Sequence, residues 1–216
     1  SGRPSQSRRA EGSCLYDHAC SRPRLGGPRL TIDYSGLEPG DAEAVAAAIH
    51  RRENFYGYIG SRAFDFILRN VAALRDLGAL EEAWLDAYIF QSHFADHRLE
   101  IVKAVFDACD RSRLQTMKSI DAAISIAKSG RVSLFRGCAG PVHHMGMSWT
   151  SSLDKAIWYA AQKAAYYDQA NLAVYATTVA LDEIYCRLDR NEEEFIVAPS
   201  VWWKVDVPLG EFRLNR

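Results

Sequence analysis

Long apolar runs are missing from this 216-residue chain. None approaches the roughly 18 consecutive residues of a membrane span, and no signal-peptide pattern is present. The expectation is a soluble protein without a membrane partner, cytoplasmic or delivered to the cytosol of a target cell. Nor does one sign of charge dominate. Lys and Arg number 26 against 27 Asp and Glu, a formal net charge of −1, so no global field draws the molecule onto nucleic acid. Cysteine is scarce and odd in number: Cys14, Cys20, Cys109, Cys138 and Cys186 form no CxxC pair, which argues against a disulfide framework. Cys14, His18 and Cys20 could supply three zinc ligands but lack a fourth at sensible spacing, so no metal is expected. The glycines (Gly26-Gly27, and Gly137 with Gly140) have no GxGxxG spacing after a strand, which removes a Rossmann dinucleotide site. No fixed-period repeat points to a solenoid.

What is present divides in three. Residues 1–30 are rich in Ser, Arg, Gly and Pro and hold little to bury, the composition of a disordered tail. Residues 31–130 read as helical. Asp41 stands where an N-cap would, ahead of Ala42, Val45, Ala46 and Ile49 at helical spacing. A second helix runs from Ser61 toward Gly78, with Phe64, Ile67, Leu68, Val71 and Leu74 on one face. A third spans Leu80 to Cys109, with a break expected near Ala95–His97, and a fourth runs from Ser112 to Lys128, stopped by Gly130. Residues 131–216 change grammar. VSLFRG and GMSWT read as strands, Ser152 to Tyr167 as an amphipathic helix, and LAVYATTVAL, EFIVAP and VWWKVDV as further strands. Trp202 and Trp203 read as β-core residues on opposite faces. The fold class is therefore α+β, a helical region followed by a small β core.

Three pieces of the strand-rich region carry chemistry together. LFRG puts Arg136 at the exit of a strand with Gly137 behind it. SWTSSLDKAIWYA turns a short strand into a helix and holds Ser148 and Thr150. RNEEEFIV puts Glu192 and Glu194 at the entry to an apolar strand. Each alone has a plain reading: a surface charge, an N-cap, a solvated acidic loop.

In this order and context the chain resembles the arginine–serine–glutamate class of mono-ADP-ribosyltransferases. Leu134-Phe135-Arg136-Gly137 matches the first-strand motif, Ser148-Trp149-Thr150 the Ser-Thr-Ser motif with Trp in its middle, and Glu192-Glu193-Glu194-Phe195-Ile196-Val197 the Glu-X-Glu motif. A second register, Thr150-Ser151-Ser152, stays open; the positions of Ala156 and Tyr159-Ala160 on the following helix favour Ser148. The resemblance covers roughly residues 131–216. It implies a mixed or antiparallel β-sandwich core of the ADP-ribosyltransferase type and NAD⁺ as co-substrate, with no metal.

By that resemblance Glu194 stabilises the oxocarbenium-like transition state as the nicotinamide–ribose bond breaks, and Ser148 donates a hydrogen bond that orients it. Arg136 is the charged fork for the NAD⁺ phosphates. Gly137 leaves room for backbone contact with the nicotinamide amide, and Thr150 joins Ser148 at the cofactor site. Glu192 in this position goes with arginine acceptors, where a carboxylate pairs with a guanidinium and helps remove its proton. Tyr166 and Tyr167 fall where the family carries an aromatic near nicotinamide or acceptor. Strand alternation puts Glu193 on the opposite face from Glu192 and Glu194. The implied function is transfer of ADP-ribose to a macromolecule, protein arginine foremost, by a toxin or effector. Transfer to RNA or DNA, hydrolysis of NAD⁺, and a non-enzymatic partner-binding protein with a degenerate transferase fold are the alternatives. The helical region exceeds what capping an NAD⁺ site needs, so a target or inhibitory protein is a further partner for it. His93, His97 and Glu100 share a helix face without the glutamate of HExxH and read as a polar face. His143 and His144 lie in the loop between the Arg and Ser motifs.

Overall fold

Proline opens the first helix of the helical half. Pro39 begins α1 (Pro39–Arg51), where its missing N–H would find no intrahelical partner and its φ is already helical. The extended residue before it is Glu38, so Asp41 sits in the first turn and not at the cap; proline moves the start ahead of the expected residue. Val45, Ala48 and Ile49 form the buried stripe. The computed structural model describes residues 31–90, 98–117, 130–140, 146–168, 170–188 and 193–207, with the side chains of Met117 and Tyr167 excepted. The reading of residues 1–30 as a tail lies outside that set.

A short α2 (Tyr56–Ile59) follows, which the periodicity did not reveal. Then comes α3 (Arg62–Asp76), with Ser61 before it and Gly78 in left-handed backbone after it, as expected. The long third segment is two helices, α4 (Leu80–Phe90) and α5 (Leu99–Ala108). Extended backbone at Arg98 opens α5, and residues 91–97, including His93, His97 and the expected break, lie outside the described residues. Of the fourth segment α6 (Arg111–Met117) is described. The buried carboxylate of Glu81 accepts the Asp110 N–H at 2.7 Å and pairs with Arg113 at 3.2 Å, joining α4 to the start of α6.

The second half is one sheet. Its strands are β1 (Arg131–Cys138), β2 (Ser148–Thr150), β3 (Ala173–Ala180), β4 (Ile184–Leu188), β5 (Glu194–Val197) and β6 (Trp203–Val205), ordered β4-β5-β2-β1-β3-β6 with every pairing antiparallel. The fold is thus α+β, helices followed by a six-stranded antiparallel sheet. Among the described strands there is no parallel pair and no second sheet. The expected sandwich is not what the described strands form: they make one sheet, one face of which buries Val132, Leu134, Trp149, Val179, Ile184, Phe195 and Val197 in a cluster.

Helix α7 (Leu153–Tyr167) lies on β1. Ser152 caps it, its hydroxyl accepting the Lys155 N–H at 3.3 Å. Ser152→Ala should lower stability by about 1 kcal/mol, read as a shifted urea midpoint. Ala156 and Ala160, fully buried, bring the helix backbone so close that a Cβ on Gly137 would stand 1.8 Å from the Ala156 carbonyl oxygen. Small residues on both partners therefore set the spacing of α7 from the sheet.

Two readings need correction. β4 was not anticipated: IYCRL is nearly all buried although it lies at a sheet edge, because α6 packs against it and Cys186 and Leu188 join the helical core. Trp202 and Trp203 are not core residues. They are 36% and 50% exposed, since β6 is the opposite edge, and Trp202 meets Tyr175 edge-on at 5.1 Å. The helical core also takes in Met147, Tyr185 and Ile196, so the two halves share one buried cluster. No described helix is long and apolar enough to cross a membrane.

Candidate active site

The strand register brings the three motifs together. Phe135 on β1 faces Thr150 on β2, and Thr150 faces Glu194 on β5, a single row across three strands. Directly opposed residues of antiparallel strands share a face, so Thr150 and Glu194 lie together although far apart in sequence. Beside them opens a cavity of about 180 Å³. Arg136, Gly137, Ser148, Thr150 and Glu194 line it, with Tyr159 and Lys163 from one turn of α7. Those two lining residues escaped the sequence reading. Their spacing of four on a helix already expected to follow the Ser motif was the available signal.

Arg136 is held from two sides. One guanidinium nitrogen donates to the Ser148 carbonyl at 2.6 Å, and the fork lies against Gly146, where a Cβ would come within 2.0 Å of it. Since the obstacle is the end of a flexible side chain, Gly146→Ala should fold normally and push the guanidinium aside. A melting midpoint matching that of the wild type checks this.

Ser148 Oγ lies 2.7 Å from the Tyr88 hydroxyl, so α4 reaches the motif strands. Burial pushes the Tyr88 hydroxyl well above its usual range; the Glu194 charge adds to this, and Ser148 and Arg136 offset part of it. Tyr88 is therefore a neutral, proton-bearing group. Nothing in the helical periodicity marked it, because on α4 it reads as one more core aromatic.

The competing serines are engaged elsewhere. Ser151 donates to a Glu193 carboxylate oxygen at 3.0 Å, and Ser152 is the helix cap. Glu193 has left-handed backbone (φ 47°) just before β5 and pairs with Lys155 at 3.2 Å. Those hydrogen bonds from Ser151 and Lys155 hold its carboxyl below the usual range. The residue between the two motif glutamates thus ties the entry of β5 to the first turn of α7; with left-handed backbone ahead of β5 it is not governed by the strand alternation expected of it. Half-buried Glu194 follows it into the sheet.

Other expected members fall elsewhere. Glu192, His143 and His144 lie outside the described residues, as do Cys14, His18 and Cys20. Tyr166, in the last turn of α7, has 79% of its surface exposed and is not part of the cavity lining; the aromatics there are Phe135, Trp149 and Tyr159. Tyr167 closes the same helix. Gly137 lines the cavity, and its lack of a side chain is already required by α7. Among the described residues no His, Cys, Asp or Glu cluster is placed to hold a metal. Cys109, Cys138 and Cys186 are buried free thiols.

A second cavity, about 290 Å³, opens near the ends of β1 and β3, with Cys138, Asn171, Tyr175 and Lys204 in its wall. It is larger, but none of the described residues lining it is a carboxylate. The motif residues Arg136, Ser148, Thr150 and Glu194 line the smaller one. Comparison with protein-family models, curated proteins and solved structures finds no match.

Proposed function

We propose that the chain is an NAD⁺-dependent mono-ADP-ribosyltransferase acting on a macromolecular acceptor, protein arginine foremost. The observation that carries the reading is the single cavity onto which Arg136, Ser148, Thr150 and Glu194 converge from three separate strands. A fixed cation, a carboxylate and neutral hydroxyls on one small concave surface are the groups that nicotinamide–ribose cleavage requires.

At about 180 Å³ the cavity is smaller than the roughly 300–1,000 Å³ typical of whole-ligand pockets. It accommodates the nicotinamide–ribose end and leaves the remainder of the dinucleotide on open surface. Arg136 binds phosphate as a planar fork. Glu194 lies beside the ribose, where it lowers the energy of the developing positive charge. Nicotinamide departs with the electron pair of the glycosidic bond. An acceptor nitrogen then bonds to the ribose carbon and gives up its proton, the task assigned to Glu192.

The acceptor is tested by incubating the protein with labelled NAD⁺ and cell lysate, then treating parallel samples with protease or nuclease. Label removed by protease supports a protein acceptor; removal by nuclease moves the reading to nucleic acid. Free ADP-ribose without macromolecular label makes the chain a hydrolase. Glu192→Gln should leave NAD⁺ cleavage intact and abolish transfer.

A further inference from the structure

The Tyr88–Ser148 contact joins a residue of the helical half to the Ser motif, 60 positions apart. Tyr88 is 7% exposed, and its ring is held by Phe106 edge-on at 5.2 Å and by Trp84 at 6.4 Å. A ring locked in this way places its hydroxyl at a fixed point. A serine hydroxyl, by contrast, is a free rotor with one donor and two acceptor directions, and its neighbours decide where the hydrogen points. Tyr88 retains its proton, since burial and the Glu194 charge both oppose ionisation. It can therefore act as the donor in this pair.

We infer that Tyr88 is a positioning residue: it donates to Ser148 Oγ and so directs the Ser148 hydrogen into the cavity shared with Glu194. The helical half then completes the site rather than merely covering the sheet. This rests on the transferase reading above. Ser148 touches the reacting region; Tyr88 acts through it.

A double-mutant cycle on nicotinamide release tests this. Tyr88→Phe removes one oxygen and keeps the ring, so kcat should fall about tenfold, the worth of one well-placed hydrogen bond, with KM changed less than about twofold. In a Ser148→Ala background the same change should cost less than about twofold, because the group it acts through is gone. A purely structural role would give losses that multiply, and that result overturns the inference. The double variant leaves neither hydroxyl without its partner. Its comparison with Ser148→Ala alone therefore decides the matter even if Tyr88→Phe alone melts early. Tyr88→Phe with wild-type turnover overturns this inference and leaves the transferase reading intact. Wild-type protein that releases no nicotinamide overturns both.

Discussion

Glu194→Gln should lower the rate of nicotinamide release about 10²–10³-fold, the usual cost of removing one transition-state stabiliser. The change keeps shape and hydrogen-bonding capacity and removes only the charge. Glu194 is half-buried at the start of β5, paired through its backbone with Thr150 on one side and Leu188 on the other. That ladder does not depend on the carboxylate, so the variant should melt with the wild type. NAD⁺ binding should persist, because Arg136 and the rest of the cavity wall are unaltered. Single-turnover kinetics separates the two terms: the chemical step collapses and the dissociation constant stays within about threefold of its original value. An undiminished rate would remove Glu194 from the mechanism.

The second large effect concerns folding. Gly137→Ala should destabilise the protein by about 3 kcal/mol, the upper end of ordinary overpacking, because the obstruction is backbone and has no rotamer to escape into. The added Cβ would stand 1.8 Å from the Ala156 carbonyl oxygen, 2.7 Å from the Ala160 nitrogen and 2.8 Å from the Ala156 carbonyl carbon. Relief requires α7 to lift from β1. Tyr159 and Lys163 would move with it, so the cavity would lose its helical wall. Gly40→Ala, in α1 with open space around the position, is the matched control and should be near neutral. Urea midpoints check both; equal midpoints for Gly137→Ala and wild type would contradict the close packing.

Much of the site was legible because its parts are local. Arg136-Gly137, Ser148-Trp149-Thr150 and Glu194-Phe195 each sit at a strand end or start, and strand grammar places residues of one face together. The expected strands VSLFRG, GMSWT, LAVYATTVAL and EFIVAP correspond to β1, β2, β3 and β5. What was not legible depends on tertiary neighbours. IYCRL is flanked by Asp and Glu on one side and Asp and Arg on the other; α6 and the helical core make it a buried strand. Trp202 and Trp203 have the composition of a core strand, yet β6 is the edge of the sheet among the described strands. Tyr88 could not be singled out from Trp84 and Phe106 by period, since only the position of β2 turns one of these aromatics into a hydrogen-bonding partner. Nothing in the run GMSWT singles out Gly146; the Arg136 guanidinium lies against it.

Release of free nicotinamide from NAD⁺ by the purified chain, followed chromatographically with lysate supplied as acceptor, tests the central claim most directly. Nicotinamide release should be matched by appearance of ADP-ribose on macromolecules, and both should be lost in Glu194→Gln. NAD⁺ recovered whole after incubation with protein shown by its melt to be folded would contradict it.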